Sequence, residues 1–283
     1  MSLSKLVNNF IEKGIERRGN SSNELISSLL NKFEGSARIL QIELVNLPEV
    51  FQQRGIYKKN GRNDFMPPRM LKVYPKVAEV LIKIDNFYKG ALHYSDIHRT
   101  AESSLQAVKA NRGAKSPGSS GHNYGFSLDH DLDGNRKRLI DLGYNEFKKK
   151  DWKFDYDVML QDFGFYCHRL DHKLGFEAWH YNHLEPFYTR FFESSRSSSA
   201  LEQKIMDAYG WHWLMMRPID IQLGLQRVGL YKGELDGEIG PRSKESIAAF
   251  KRTWNLGNNS TMDISFKRTL AYVSSEEVLV ENG

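Results

Sequence analysis

Residues 120–129 read Ser-Gly-His-Asn-Tyr-Gly-Phe-Ser-Leu-Asp, a stretch in which a histidine and an aspartate stand on either side of a glycine. His122 and Asp129 are seven positions apart, which suits two side chains reached from a loop and from the strand that follows it. Gly125 between them lets the backbone pass close to a shared site. The stretch therefore predicts a loop and strand that carry two metal-binding side chains.

A second stretch, Glu177-Ala-Trp-His180, offers the groups that would complete such a site. A glutamate three positions before a histidine, on a strand or in a tight turn, can place an imidazole on a metal and a carboxylate beside water. Two histidines and one aspartate give zinc three ligands and leave a fourth position for water, as hydrolytic zinc requires. A neighbouring glutamate can accept the proton of that water and pass it to a leaving amine.

Together, the two stretches resemble the signature of the D-alanyl-D-alanine carboxypeptidase and dipeptidase family, Ser-x-His-x-x-Gly-x-Ala-x-Asp followed by Glu-x-Trp-His. This family includes vancomycin-resistance D,D-peptidases and the L-alanyl-D-glutamate peptidases of phage lysis. The resemblance covers about residues 70–185, with Ser127 in place of the usual, similarly small alanine. It implies three ligands for one Zn²⁺, namely His122, Asp129 and His180.

The same resemblance implies the other site residues. Glu177 matches the general base. Residues 95–100, Ser-Asp-Ile-His-Arg-Thr, are similar to a family stretch whose arginine stabilises the oxyanion, so Arg99 is implied in that role. A fixed cation that faces developing negative charge acts mainly in the transition state. Ser120 and Trp179 are implied as substrate-binding residues.

Other histidines and carboxylates in this region offer alternatives. Asp129-His-Asp-Leu-Asp-Gly also resembles the start of a calcium-binding loop, although its twelfth position is Ile140 instead of the required glutamate. His183 is the rival zinc ligand, since a His-x-x-His spacing also suits zinc. Three further histidines could orient a ligand or the substrate; they are His130, His168 and His172.

The C-terminal part carries a different pattern, with Gly229-Leu-Tyr231, Asp236-Gly237 and Gly240-Pro241. It predicts a helix, an Asp-Gly turn and a second helix that begins after the Gly-Pro stop. The pattern resembles the small three-helix peptidoglycan-binding domain, from which Ser243 and Lys251 depart where the family has threonine and glutamine. A small helical domain without a ligand is the alternative.

These observations predict an α+β fold, with a central antiparallel sheet in a zinc peptidase domain and a small all-helical C-terminal domain. The stretch from Met70 to Tyr88 predicts a helix, and residues 92–97 predict a strand. The expected divisions are a helical N-terminal extension (1–60), the catalytic domain (61–192), a linker (193–204) and the peptidoglycan-binding domain (205–283).

Charge, cysteine content and hydropathy limit the possible partners, metal ligands and cellular location of the protein. The 283 residues carry a net charge of +5, which favours anionic partners. Cys167 is the only cysteine, so an intramolecular disulfide and thiolate metal clusters are excluded. No apolar run approaches the roughly 18–20 residues of a membrane span, and residues 1–10 do not resemble a secretory signal. We therefore expect synthesis in the cytoplasm of a bacterial host and action on the cell wall after release through a membrane pore or within a virion.

The predicted function is zinc-dependent hydrolysis of an amide bond in peptidoglycan stem peptides, with peptidoglycan as partner and no nucleic acid. The bond cleaved, such as L-Ala–D-Glu or D-Ala–D-Ala, is left open. One alternative is a wall-binding or virion protein without catalysis. Another is a muramidase, which needs two carboxylates across a sugar bond, such as Glu177 with Asp129 or Asp155.

Overall fold

The computed structural model describes residues 37, 39–40, 42–55, 57–59, 62–64, 68–110, 115–167, 171–175, 177–183, 213 and 216–276. The chain divides into two compact units, Met1–Arg38 and Ile39–Gly283, and the elements below all lie in the second unit. The helices predicted before residue 37 and the predicted linker 193–204 lie outside the described residues.

The described residues form short β-strands and α-helices. In chain order they are β1 (Val45–Asn46), α1 (Val50–Gln53), β2 (Tyr57–Lys59), β3 (Arg62–Asp64), β4 (Lys72–Val73), α2 (Pro75–Phe87), β5 (Tyr94–Asp96), α3 (Ala101–Lys109), β6 (Ser127–His130), α4 (Leu132–Asp141), α5 (Trp152–Gln161), β7 (Phe165–Cys167), β8 (His180–His183), α6 (Pro218–Arg227), α7 (Pro241–Thr253) and α8 (Ile264–Ser275). The fold is α+β, as predicted.

A four-stranded antiparallel sheet in the order β5-β6-β8-β7 occupies the centre, which confirms the predicted sheet. β6 and β8 are its inner strands, and Asp129 stands directly opposite His180 in their register. The next pair on the same face of these strands is Ser127 and Asn182, whose side chains are joined by a hydrogen bond of 2.5 Å from the Ser127 hydroxyl to Asn182 Oδ1. The buried hydroxyl of Ser127 is therefore satisfied across the sheet.

The last part of the predicted N-terminal helical extension is not continuous helix. β1 pairs with β4, with Val45 opposite Val73, and the helix that follows is a single turn, Val50–Gln53. Leu47 and Phe51 are buried in the core of the second unit. Strand pairing and core packing therefore determine the structure of residues 45–53, although the sequence predicted mainly helix before residue 60.

The helix predicted from Met70 begins later, at Pro75. Proline is favoured at the first helical position, because its missing N–H has no partner there and its fixed φ matches the helix. The residues before it form β4, whose Val73 is fully buried. Within α2, Val77, Leu81 and Ile84 recur at helical spacing and pack into the core.

Every regular element described between residues 216 and 276 is a helix, in agreement with the predicted all-helical C-terminal part. Helices α6, α7 and α8, with the loops between them, are called the C-terminal module below. Among the described residues, none of the helices is both long and apolar enough to cross a membrane.

Two buried side chains organise the loops of the C-terminal module. Gln222 of α6 donates from Nε2 to Asp236 Oδ1 at 2.6 Å, in the predicted Asp-Gly turn. Lys251 of α7 donates from Nζ to Asn259 Oδ1 at 2.7 Å and to Asp263 Oδ2 at 2.5 Å. Each helix thus sends one nitrogen donor into the loop that follows it.

Replacing Lys251 with methionine is expected to destabilise the C-terminal module by roughly 2–3 kcal/mol. The ammonium group is buried, and its loss leaves the loop oxygens without their donor, although the half-exposed Asp263 regains some hydration. Urea denaturation of the full chain measures the change. Lys244→Met, an exposed lysine on the same helix, is the matched control and should shift the free energy of unfolding by less than about 0.5 kcal/mol.

Candidate metal centre

Three side chains converge at the middle of the sheet. His122 Nε2 lies 3.2 Å from His180 Nδ1 and 3.3 Å from Asp129 Oδ1, and His180 Nδ1 lies 2.8 Å from the same aspartate oxygen. The two histidines are buried and Asp129 is nearly so. Two imidazole nitrogens and one carboxylate oxygen at such spacings could hold a metal ion, and in the described part of the chain this is the group with that property.

A short 3₁₀ turn, Gly121–Tyr124, fixes His122 before β6 begins. The Ser120 hydroxyl accepts a hydrogen bond from the His122 backbone N–H at 3.4 Å. His122 Nδ1 lies 2.8 Å from the carbonyl oxygen of Ile97, which can only accept. Nδ1 therefore carries the proton, and Nε2 presents its lone pair to the cluster, as a metal ligand must.

Gly125 ends this turn in the left-handed conformation, with φ +73°. A Cβ atom there would lie 2.5 Å from the backbone nitrogen of Tyr74. The glycine is needed for a close approach, as predicted, but the approached backbone belongs to residues 73–74 and not to the metal cluster.

The other two side chains of the cluster come from the sheet itself. Asp129 and His180 are directly opposed residues on β6 and β8, so they project from the same face. Side chains alternate between faces along a strand, which places their neighbours His130 and Tyr181 on the opposite face. The antiparallel register thus brings together two groups that are 51 residues apart in the sequence.

The electrostatics of the cluster favour an ionised aspartate. Burial alone would raise the pKa of Asp129, but the adjacent His122 and His180 outweigh it and hold the pKa well below its usual range. The cluster therefore presents one negative charge and two imidazoles, a donor set suited to a divalent cation.

The alternative histidines lie elsewhere. His183 is on the opposite face of β8 from His180, and its ring packs on Phe165 at 4.9 Å between centroids. Its assignment as a rival ligand is therefore wrong. His130 Nδ1 lies 2.8 Å from the Tyr156 hydroxyl, and His172 Nδ1 lies 2.9 Å from Asp157, whereas His168 is outside the described residues.

The calcium-loop interpretation does not hold either. The chain after Asp129 leaves the strand and forms α4, Leu132–Asp141, instead of an open loop. Asp131 Oδ2 accepts a hydrogen bond from Arg138 Nη2 at 2.8 Å, so its carboxylate is turned toward an arginine. The acidic side chains do not converge as calcium binding requires.

Arg99 lies in the same cavity as the cluster and is held in place by Asp96. Its Nε donates to Asp96 Oδ2 at 3.0 Å. Burial lowers the pKa of Arg99, but Asp96, and further Asp129 and Glu177, raise it more, so the guanidinium stays charged. The structure therefore supplies a fixed, permanently charged cation beside the cluster.

Glu177 occupies the tight turn that leads into β8, where His180 N–H donates to its carbonyl oxygen at 3.1 Å. Its φ is +60°, a left-handed conformation that costs a residue with a side chain on the order of 1–2 kcal/mol. Glu177 lines the cavity and is not among the three clustered ligand groups. A carboxylate-bearing residue thus lines the same cavity without belonging to the cluster.

The cavity that contains these groups has a volume of about 1500 Å³. Ser120 and Trp179 both line it, and 39% of Trp179 remains exposed. Ser120 is buried and its hydroxyl already caps the turn that carries His122, so holding that turn is the role its contacts display. Trp179 is a partly exposed aromatic side chain at the cavity wall.

Sequence reasoning missed the residue that joins these parts. Asn123 is fully buried; its Nδ2 donates to Arg99 O at 2.7 Å, and its Oδ1 accepts from Ser120 N at 3.2 Å. Its place beside His122, in a polar loop, is the signal that could have found it. His98, also on the cavity wall, was missed as well; burial lowers its pKa to about 4, so it is neutral at pH 7.

The buried His–Asp–His cluster and its cavity thus define the candidate site on geometry alone. In comparisons with protein-family models, with characterised proteins and with solved structures, nothing matches this chain.

Proposed function

We propose that the chain is a zinc-dependent peptidase that hydrolyses an amide bond in the stem peptides of bacterial peptidoglycan. The observation that carries the proposal is the convergence of His122, Asp129 and His180 in a cavity that also contains Arg99 and Glu177. A metal-binding group, a fixed cation and a separate carboxylate are the parts that metal-assisted amide hydrolysis requires.

The donor atoms fit zinc. Zinc bonds of about 2.0–2.1 Å place ligand atoms roughly 3.3 Å apart in a tetrahedron. The separations here are 3.2, 3.3 and 2.8 Å. Two histidines and one carboxylate also suit iron(II) in oxygenases. The presence of Arg99 and Glu177 in the cavity favours hydrolysis, since that reaction uses both an oxyanion partner and a proton carrier.

In the proposed mechanism, His122, Asp129 and His180 would hold a zinc ion, which would supply Lewis acidity and lower the pKa of water to about 7. Glu177 accepts a proton from the attacking water as its oxygen bonds to the amide carbon. Arg99 stabilises the negative charge that develops on the carbonyl oxygen. Glu177 then delivers the proton to the nitrogen as the carbon–nitrogen bond breaks, which gives a carboxylic acid and an amine. The second proton of the water then passes from the acid to the amine, so the products at neutral pH are a carboxylate and an ammonium.

Two resemblances, the size of the cavity and one aromatic side chain support peptidoglycan as the substrate. The resemblance of residues 120–129 and 177–180 is to peptidases of this polymer, and the resemblance of the C-terminal module is to a domain that binds it. A cavity of about 1500 Å³ has room for a branched stem peptide. The exposed ring of Trp179 offers an apolar surface for the peptide or the adjoining sugar.

Metal analysis of the purified chain, combined with mass spectrometry of digested cell walls, tests the proposal. We expect about one zinc per chain and new free amino groups in the wall digest. New reducing ends would instead indicate a muramidase, and wall binding without cleavage would indicate a binding or virion protein. Iron in place of zinc would overturn the hydrolytic assignment.

A further inference from the structure

The last helix of the C-terminal module is joined to the segments that surround the candidate site. The Tyr272 hydroxyl donates to the carbonyl oxygen of Arg99 at 3.0 Å. One turn earlier, the Thr269 hydroxyl donates to the carbonyl oxygen of Pro117 at 3.0 Å. Tyr272 and Thr269 are both buried, so these bonds are shielded from water.

The segment that begins with Arg99 is held from two sides. The Arg99 carbonyl accepts from Tyr272 and also from Asn123 Nδ2. Two residues later, the backbone N–H of Ala101 donates to Glu276 Oε1 at 2.9 Å. Ala101 is the first residue of α3, where backbone N–H groups lack partners within the helix, so a carboxylate is well suited to this position.

The two surfaces approach closely at Gly118. A Cβ atom at this glycine would lie 2.8 Å from Tyr272 Cβ and 3.1 Å from the carbonyl oxygen of Arg268. The Tyr272 ring also packs against Tyr124, with 5.7 Å between ring centroids. Backbone of the site loop and side chain of the helix are therefore in direct, water-free contact.

The helix also contributes to the cavity itself. Tyr272, Ser275 and Glu276 line it together with Arg99 and the three clustered ligand groups. The end of α8 is thus one wall of the space in which the substrate would lie, whereas a wall-binding domain on a linker would only raise the local substrate concentration.

We infer that α8 and Glu276, the residue that follows it, are a structural part of the catalytic site. Tyr272 and Glu276 are positioning residues that hold the backbone of residues 99–101 and thereby fix the direction of the Arg99 guanidinium. The inference rests on the proposed function for the role of Arg99. The contacts of Tyr272 and Glu276 with residues 99–101, called the clamp below, can be measured separately. The C-terminal module accordingly has a second task besides any binding of cell wall.

A double-mutant cycle tests whether Tyr272 acts through Arg99. Tyr272→Phe removes only the hydroxyl, and we expect kcat on cell wall to fall about tenfold, with KM and zinc content unchanged. In an Arg99→Ala background the same substitution should cost almost nothing, because the group that it positions is gone. Equal losses in both backgrounds would overturn the inference and leave Tyr272 a purely structural residue.

Hydrogen exchange provides a readout that does not depend on activity. In Tyr272→Phe and in Glu276→Ala, amide exchange over residues 99–104 should accelerate, while β6 and β8 keep their protection. Ser265→Ala, at the exposed start of α8, is the matched control and should leave exchange unchanged. Unchanged exchange in both clamp variants would refute the clamp even if the chain proves to be a peptidase. If exchange accelerates but the wild-type chain cleaves no peptide, the proposed function has failed and the clamp has not.

Discussion

His122→Ala is expected to abolish both zinc binding and wall cleavage. The variant loses the nitrogen that the Ile97 carbonyl orients toward the cluster, so two ligand groups remain where hydrolytic zinc uses three. Removing even an outer hydrogen-bond partner of a ligand lowers metal affinity by about 10–100-fold, and removal of the ligand itself should exceed this range. Zinc content after dialysis and affinity by competition with a chelator measure the effect.

His172→Ala is the matched control for this experiment. His172 contacts Asp157 and Phe154, away from the cluster, so its loss should leave zinc content and activity near the wild-type values. Full zinc occupancy in His122→Ala would show that the metal is held by other side chains. The catalytic assignment of Asp129 and His180 would then fall with it.

Glu177→Gln is expected to separate binding from chemistry. The amide keeps the size of the side chain but cannot carry the proton, so kcat should fall by about 10²–10⁴-fold. Zinc content should stay at the wild-type level, because Glu177 is not one of the clustered ligand groups. Turnover on purified cell wall and metal analysis of the same preparation give the two values.

The matched control is Glu79→Gln, the same chemical change at an exposed position on α2 where the side chain pairs with Lys76. It should leave turnover and zinc content unchanged. If Glu177→Gln retained full wall-cleaving activity, the proton would have to travel through another group, and the proposed mechanism would be wrong.

Much of the central sheet could be predicted from the sequence. Residues 127–130 and 180–183 follow loops that carry polar and glycine-rich signals, and both form strands. The three ligand positions follow from the resemblance, and the structure brings these three side chains together. Their roles as zinc ligands remain predictions.

The face of β8 on which His183 lies could also be predicted from the sequence. A separation of three residues is odd, so two histidines so spaced on one strand face opposite sides of the sheet. The interpretation of His183 as a rival zinc ligand rested on the His-x-x-His spacing alone. Once the segment is read as a strand, the same pattern excludes His183, and it packs against Phe165 instead.

The contacts of α8 could not be predicted in this way. Tyr272 and Arg99 are 173 residues apart, and nothing in the local pattern of either stretch indicates the other. The resemblance to a separate binding domain pointed toward an independent module. Tertiary packing between distant segments leaves no periodic signal in a single sequence, which is why the clamp is visible only in the folded chain.

The opposition of Asp129 and His180 across β6 and β8 also bears on how the protein assembles. Asp129 and His180 are 51 residues apart, so the cluster cannot form until β6 and β8 have paired. Pairing over such a sequence separation is slow, and we therefore expect metal binding to become possible late in folding. A slip of one residue between these strands would turn one of the two groups to the far side of the sheet. Time-resolved metal uptake during refolding would therefore report when the correct strand alignment is reached.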